Sequence, residues 1–544
     1  MKPSWLWVTR EHTMNRFLAT RAASLCLALA LLTPAVSGQP VVSSAGATAP
    51  ASRVVSLDVI VSDGSGNAVH GLEAGDFELW LDSAPVPVAS VMPASEGAGP
   101  ADGPLVLVVF VDRAGLAPSA CAALLAKAAP ALVGAVRTGA VRTMVVSGDG
   151  RPAIRQSIGS DPEALRRAIE VLVRECETGG ATTGPATPQP ITAGVLPVLA
   201  SDRVPDAPDS MRPGSGRPLA SVSATLERVT AFVRSLGGLP GRKALLYIGG
   251  PVVGESPARS VPCAAADTGD AAVGHAASAV ASEQLRSLSD QANATGVTLY
   301  CVEACGAGAA AATQPGSASV TSAWGEVAAA TGGQATSDRP DLTDVVTRFF
   351  VDFHDYYRVS FVQPSPGDGL RHQVRMRVQR PGATVRTRAS FVDLSEDDRM
   401  AGRALAALDL GLADNPLGIQ VTATAEVNAK EGSQVASVLV AIPLGKLAFE
   451  PGTVAQQSDL RLWLAARDGD GKLTQSPGHR FPVSVPNDRF LAALSQSAAY
   501  TFRVPMKAGP GSFAVTVRDE IKEQDATAVA TVGGTGPTAQ KETR

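Results

Sequence analysis

The sequence predicts an α/β fold joined to β structure: a doubly wound, mainly parallel sheet flanked by helices, with a small N-terminal β segment before it and an immunoglobulin-like β-sandwich after it. Apolar strands alternate with helix-length segments between residues 100 and 356, which is the pattern of a parallel sheet covered on both faces. Seven consecutive apolar residues, 105–111, are typical of a strand buried on both sides. After residue 356 the alternation is mostly that of strands, with turns at 468–471 and 509–511.

The N-terminus has the features of a secretory leader. Basic residues precede an apolar stretch at 22–32, and small residues follow it. We expect residues 1–38 to be a signal peptide and 39–52 a linker, with Met14 as an alternative start and an uncleaved membrane anchor as an alternative to cleavage. Because no later segment is apolar over a long enough stretch, we expect no membrane span after cleavage. The expected location is secreted, periplasmic or in the cell envelope.

The remaining elements follow in order along the chain. Residues 53–95 alternate as a small N-terminal β unit, and residues 357–395 form a β extension after the α/β domain at 100–356. Residues 396–416 are predicted to be a helical linker, 417–532 the β-sandwich, and 533–544 a disordered tail. Within the α/β domain, strands are expected at 105–112, 141–146, 241–250 and 297–302, and helices at 118–136, 161–176, 219–236, 278–294, 319–330 and 341–355.

Five cysteines follow the leader, so an oxidising compartment would pair some of them and leave at least one thiol free. Cys263 and Cys305 lie in loops after neighbouring predicted strands and are the expected disulfide. Cys301 does not pair with Cys305 if it lies in a strand, because four extended residues span about 13 Å. Cys121 lies on the apolar face of a helix and is expected to be a small buried side chain.

Composition and motifs favour a binding function over an enzymatic one. The formal net charge is −4 and no long basic run is present, which argues against nucleic acid as a partner. No cysteine and histidine cluster has zinc spacing, and no nucleophile elbow or phosphate loop is present. Asp352 and Asp355 flank His354 on a helix, where we expect them to face solvent. A secreted hydrolase remains an alternative because a catalytic triad is assembled in space and not in sequence.

Asp112 is the residue that most invites a functional interpretation. It ends the apolar strand at 105–111, and ligands of open α/β sheets bind beyond the carboxyl ends of the strands. A carboxylate at this position can hold a metal ion, contact a partner directly, or cap the helix that follows. The residues around Asp112 decide between these roles.

The order of several phrases resembles the secreted von Willebrand factor type A (VWA) domain proteins of Acidobacteria-like genomes. They include Gly241-Arg-Lys-Ala-Leu-Leu246 before a strand and Val327-Ala-Ala-Ala-Thr-Gly-Gly333 before the last helix of the domain. Further matching segments are 59–72, 75–77, 294–303, 356–364 and 380–386. The resemblance covers most of the mature chain and implies a VWA-like α/β domain at 100–356.

The resemblance also implies where a metal would bind. VWA domains hold a divalent cation at a metal-ion-dependent adhesion site (MIDAS), whose first loop reads Asp-x-Ser-x-Ser and whose third loop supplies an Asp. Asp112 matches the first position, but Ala114 and Leu116 stand at the serine positions and Gly249 at the third-loop position. The MIDAS motif is therefore degenerate, and we expect no cofactor, with Mg²⁺ at Asp112 as the alternative.

The sequence thus predicts an exported, non-enzymatic protein-interaction or adhesion and assembly module built on a VWA domain. Its partner would be an unidentified protein or a surface polymer, recognised without a metal bridge. The first alternative is a MIDAS-type adhesin that retains Mg²⁺, and the second is the secreted hydrolase.

Overall fold

The computed structural model describes residues 53–94, 105–113, 116, 118–137, 141–148, 152–178, 219–250, 271–303, 323–336, 342–363, 367–428 and 433–532. The helices within these residues are α1 (Pro118–Arg137), α2 (Pro162–Glu177), α3 (Leu219–Leu236), α4 (Ala271–Thr295), α5 (Ala323–Ala330), α6 (Leu342–His354), α7 (Glu396–Leu410) and α8 (Phe490–Ala493).

The strands of the described residues form five sheets. The first fourteen strands are β1 (Arg53–Ser62), β2 (Phe77–Leu81), β3 (Ala84–Val86), β4 (Val88–Pro93), β5 (Leu105–Asp112), β6 (Val141–Gly148), β7 (Pro152–Gly159), β8 (Lys243–Gly249), β9 (Val297–Glu303), β10 (Ala335–Thr336), β11 (Tyr357–Gln363), β12 (Arg371–Val378), β13 (Thr384–Arg386) and β14 (Ser390–Val392). The remaining strands are β15 (Gln420–Asn428), β16 (Ser433–Pro443), β17 (Glu450–Pro451), β18 (Ala455–Arg467), β19 (Leu473–Gln475), β20 (His479–Pro486), β21 (Ser497–Lys507), β22 (Gly511–Asp519) and β23 (Gln524–Val532).

A six-stranded mixed sheet has the order β10-β9-β8-β5-β6-β7. Strand β7 pairs antiparallel with β6, and the other pairs are parallel. Separate apolar cores cover its two faces, so the central strands β5 and β8 are buried on both sides. This double burial explains the continuous apolar run at 105–111.

A second body consists of two antiparallel four-stranded sheets, β13-β1-β11-β4 and β14-β12-β2-β3. Strand β1 pairs with β11, which lies about three hundred residues later, and β2 pairs in the same way with β12. One apolar core fills the space between the two sheets. Segments that precede and follow the six-stranded sheet in sequence therefore build one β body together.

The C-terminal strands form a sandwich of two antiparallel sheets around their own core. One sheet has the order β15-β16-β21, and the other is centred on β18, which pairs with β22, β20, β19 and β17. Helix α7 connects this sandwich to the rest of the chain. Ala406 and Leu410 of α7 belong to a core of the six-stranded sheet, whereas Ala404, Ala407 and Leu408 pack against the sandwich.

The prediction that a doubly wound, VWA-like α/β sheet defines the fold class is wrong. Strands make up 46% of the structure, and the α/β sheet is one of five, the other four being antiparallel. The physical reason is the non-local pairing of β1 with β11 and of β2 with β12. Alternating apolar residues predict that a segment is a strand, but they do not identify its partner. The edge strand β7, which makes the sheet mixed, is half-exposed and was not among the predicted elements.

The prediction that no segment after the leader is long and apolar enough to span a membrane is wrong for helix α1, which meets that criterion by length and composition alone. In the structure its residues Leu125, Ala128 and Leu132 are fully buried in a core that covers the six-stranded sheet. Its apolar character is therefore accounted for by packing within the protein.

Candidate functional site

Asp112 lies at the carboxyl end of β5 and is fully buried. The hydroxyl of Tyr247, on the neighbouring strand β8, donates a hydrogen bond to Asp112 Oδ2 at 2.8 Å. A buried carboxylate needs such donors because removing its charge from water is costly. The side chain that the sequence singles out as a ligand is thus held by an internal hydrogen bond.

Aromatic contacts hold Tyr247 in the position that this hydrogen bond requires. Its ring centroid lies 4.2 Å from that of Trp324 and 5.9 Å from that of Phe110. A Cβ atom at Gly249 would lie 2.5 Å from Cε1 of Tyr247, so any side chain at position 249 would displace the ring. Gly249, which stands where a MIDAS motif has an aspartate, leaves the space that the Tyr247 ring occupies.

Among the described residues at this edge, the positions compared with a MIDAS motif supply one oxygen ligand, the carboxylate of Asp112. Leu116 is buried and, like Gly249, offers no side-chain oxygen, and Ala114 lies outside the described residues. Glu303, at the end of β9, is the other buried carboxylate of the edge, but β8 separates its strand from that of Asp112. In the parts of the chain that the structure describes, no three His, Cys, Asp or Glu side chains are grouped to hold an ion.

A network of charged side chains continues the edge beside Asp112. Glu175 of α2 accepts hydrogen bonds from Arg113 and Arg155, each at 3.0 Å. Arg155 Nε also donates to the Ser147 hydroxyl at 2.8 Å. These contacts join the ends of β5, β6 and α2 to the edge strand β7. They therefore hold these four elements together at the carboxyl edge.

A disulfide strengthens the same region. Cys121 of α1 is buried, as expected. It is not an unpaired apolar side chain, however, because it forms a disulfide with Cys176 of α2. The predicted partners Cys263 and Cys305 lie outside the described residues. Cys301 is a buried free thiol, and its burial, together with the charge of Glu303, raises its pKa.

Three elements that end at the carboxyl edge of the six-stranded sheet each precede a long segment outside the described residues. Segments 251–270 and 304–322 leave the carboxyl ends of β8 and β9. Segment 179–218 follows α2, whose last turn contacts this edge through Glu175.

Asp352, which lies beside His354 on α6, and His372 are both used in structural ion pairs, whereas His354 is exposed. Asp352 is buried, not solvent-facing as predicted, and its carboxylate pairs with Arg386 at 2.6 Å. It also accepts a hydrogen bond from Tyr300, whose pKa is raised by burial and by this carboxylate. His372, on β12, lies 2.7 Å from Asp82 and 3.2 Å from Asp368. The pairings of Asp352 with Arg386 and of His372 with Asp82 join residues that are distant along the chain, so no local pattern indicates them.

No protein-family model matches the chain, and no curated protein matches it. Among solved structures it is similar to the PilB minor pilin from Streptococcus sanguinis, with 9% identity over 47% of this chain and 64% of that one and a TM-score of 0.25. It is also similar to the pilus adhesin SpaC from Lactobacillus rhamnosus GG, with 9% identity over 79% of this chain and 56% of that one and a TM-score of 0.24. The N-terminal domains of the type V pili tip protein Mfa5 from Porphyromonas gingivalis align over 90% of this chain and 78% of that one, with 9% identity and a TM-score of 0.20. Scores this low carry no inference about fold or function.

Proposed function

We propose that the chain is an exported, non-enzymatic adhesion or assembly module that binds a partner protein or surface polymer at the carboxyl edge of its six-stranded sheet. The observation that carries the proposal is that β8, β9 and α2 all end at this one edge, each just before a long segment of the chain: 251–270, 304–322 and 179–218. Loops held by a rigid scaffold are where binding residues concentrate. The Arg113–Glu175–Arg155 network and the Cys121–Cys176 disulfide supply that rigidity.

Binding at this edge needs no bridging cation in the proposed mode. Asp112 accepts a hydrogen bond from Tyr247, and Gly249 makes room for the ring. A metal bound through Asp112 Oδ2 would have to break this contact, and any metal here would need further oxygen ligands from other residues. Contacts from the connecting segments themselves supply the recognition.

Two observations support export. The leader-like residues 1–38 precede the described chain, and a disulfide joins α1 to α2. Structural disulfides form and persist mainly in oxidising compartments outside the cytosol. The ion pairs of Asp352 and His372 give no nucleophile and base of the kind that a hydrolase needs, which supports a binding role.

The test is binding of the labelled full chain to envelope fractions of the producing organism. We expect saturable binding that excess EDTA does not change and that Asp112→Asn leaves within about twofold of wild type, since a buried asparagine can still accept the Tyr247 bond. Scrambling the order of residues 251–270 should abolish binding. A scrambled 533–544 tail is the matched control and should bind normally.

Two results would overturn the proposal. Loss of binding with EDTA and its recovery with Mg²⁺ would establish a metal-bridged adhesin. Full binding by chains in which 179–218, 251–270 and 304–322 are each scrambled would place recognition away from this edge.

A further inference from the structure

A deep cleft lies at the opposite, amino-terminal edge of the six-stranded sheet, where that sheet meets the β body. Its volume is about 730 Å³, within the range of small-molecule sites. Strands β1 and β11 form one wall, and the starts of β8 and β9 form the other. Gly296 and Gly332, both at positive φ, line it where α4 and α5 end.

The charged side chains that line the cleft are predominantly cationic, although the whole chain carries a net charge of −4. They come from five places in the sequence and include one carboxylate, that of Asp58. The six cations are Arg53, Arg242, Lys243, Arg358, Arg388 and Arg399.

Some of these cations have structural partners. Arg242 pairs with Asp58 at 3.0 Å and stacks its guanidinium over the rings of Phe353 and Tyr356. Arg53 pairs with Asp393 at 2.8 Å. We therefore assign Arg242 and Arg53 mainly to holding the walls of the cleft.

Lys243 and Arg388 donate hydrogen bonds to backbone carbonyls. Lys243 Nζ donates to the Leu239 carbonyl at 2.9 Å and Arg388 to the Ser56 carbonyl at 3.1 Å, and neither carbonyl carries a full charge. The ends of α4 and α5 contribute about half a negative charge each. Arg358 shares Asp58 at 3.8 Å, and Arg399 is close to Glu396 and Asp393. Among the described residues, six cations against the three carboxylates Asp58, Asp393 and Glu396 leave a surplus of about three positive charges, which the helix ends reduce to about two.

This surplus discriminates between classes of anion. A phosphate monoester carries nearly two negative charges at neutral pH and three acceptor oxygens, whereas a carboxylate carries one charge. One phosphate group would balance the cleft, and arginine forks suit phosphate oxygens. The buried Oδ1 of Asn293, which also lines the cleft, has no hydrogen-bond partner among the described residues, so it can accept from a ligand hydroxyl.

We propose that this cleft is a binding site for a sugar phosphate, with Lys243, Arg388 and Arg399 contacting phosphate and Asn293 accepting from a sugar hydroxyl. The site is independent of the carboxyl-edge function, because it lies at the other end of the sheet strands. The pKa of Lys243 is consistent with it: burial and the charge of Arg388 lower that pKa to about 8, with Asp58 opposing. A bound phosphate would relieve the crowding of positive charge.

Calorimetric titration of the full chain tests the proposal with four probes: a hexose bisphosphate, inorganic pyrophosphate, the uncharged hexose and digalacturonate. We expect one-to-one binding of the bisphosphate, weaker binding of pyrophosphate and digalacturonate, and none of the hexose. Lys243→Gln and Arg399→Gln should each weaken bisphosphate binding by about tenfold or more, the range for a lost hydrogen bond to a charged group. Arg399 lies on an exposed part of α7, so its variant serves where the buried Lys243 variant does not fold.

Arg489→Gln is the matched control, because Arg489 is an exposed arginine on the sandwich, and its variant should bind like wild type. Absence of saturable bisphosphate binding, or equal binding by wild type and the Arg399 variant, would overturn the site. Equal affinity for pyrophosphate would overturn sugar recognition, and equal affinity for digalacturonate would overturn the preference for phosphate.

Discussion

Asp409 and Arg467 form a buried ion pair that joins helix α7 to the central strand of the sandwich. Arg467 Nη2 lies 2.6 Å from Asp409 Oδ1, and the two side chains are 12% and 5% exposed. The other carboxylate oxygen of Asp409 accepts a hydrogen bond from Ser235 of α3 at 2.7 Å. One carboxylate therefore links the six-stranded sheet's helices to the C-terminal sandwich.

Arg467→Met should uncouple the sandwich from the rest of the chain. Without the guanidinium, Asp409 remains buried with only the Ser235 hydroxyl, and breaking a buried pair costs about 3–5 kcal/mol. Calorimetry should show the sandwich unfolding at a lower temperature and separately. Arg480→Met is the control, because Arg480 is exposed and its pair with Asp459 should contribute less than about 1 kcal/mol. Equal effects of the two variants would contradict the linking role of Asp409.

Tyr247→Phe should destabilise the six-stranded sheet without creating any response to metal. The change removes the hydroxyl that donates to the buried Asp112, and we expect a loss of about 1–3 kcal/mol in the free energy of unfolding. Urea denaturation with and without Mg²⁺ measures both effects. Tyr500→Phe removes a hydroxyl with no hydrogen bond in the described structure and should be nearly neutral. A rise in wild-type stability with Mg²⁺ would mean that Asp112 holds a cation.

The periodicity of apolar residues in the sequence predicts many of the helices and strands, but it does not predict which strands pair with each other. The run 105–111 and the helix at 219–236 agree with β5 and α3, because burial on both faces and amphipathic spacing are properties of the segment itself. The pairing of β1 with β11 depends on which strand lies nearest after folding. No periodicity encodes that choice, and the fold class was wrong for this reason.

The candidate sites show the same limit. Asp112 was found from sequence because it ends a strand, but its donor Tyr247 lies 135 residues later. The sequence did offer one indication of this contact. Tyr247 and Gly249 are two residues apart in a predicted strand, so they lie on the same face, where a glycine leaves room for a tyrosine ring. The basic residues of the cationic cleft come from five separate places between positions 53 and 399. No long basic run in the sequence therefore predicts the cleft.

Removing the Cys121–Cys176 disulfide should be costly. The bond closes a separation of 55 residues, for which the chain-entropy relation gives about 4 kcal/mol. The double variant Cys121→Ala/Cys176→Ala should therefore lose stability by about this amount in urea denaturation, and reduction of the wild type should reproduce the loss. Cys301→Ala controls for loss of a buried sulfur, because Cys301 is a free thiol. If the reduced wild type were as stable as the oxidised protein, the disulfide would not stabilise the fold.

Lys243→Met should raise stability at neutral pH while weakening phosphate binding. At pH 7 the folded state keeps a buried ammonium whose pKa is lowered to about 8 by burial and by Arg388. Lowering the pKa from 10.5 to about 8 corresponds to a cost of about 3 kcal/mol, which Lys243→Met removes. Loss of the hydrogen bond to the Leu239 carbonyl costs about 1 kcal/mol, so we expect a net gain of about 2 kcal/mol in the free energy of unfolding.

The stability difference between wild type and Lys243→Met should depend on pH, because the two states of Lys243 have different pKa values. Between the folded pKa of about 8 and the unfolded value of 10.5, the unfolded state holds more protons at Lys243, so wild-type stability gains with rising pH. The advantage of Lys243→Met should therefore be full below pH 8 and shrink toward pH 10.5. Urea denaturation of both proteins across this range measures the difference, in which the titration of other groups cancels. The contrary result is a Lys243→Met variant that is less stable than wild type at pH 7, by an amount that stays constant at higher pH. Lys243 would then stabilise the fold, and there would be no unfavourable buried charge for a phosphate ligand to offset.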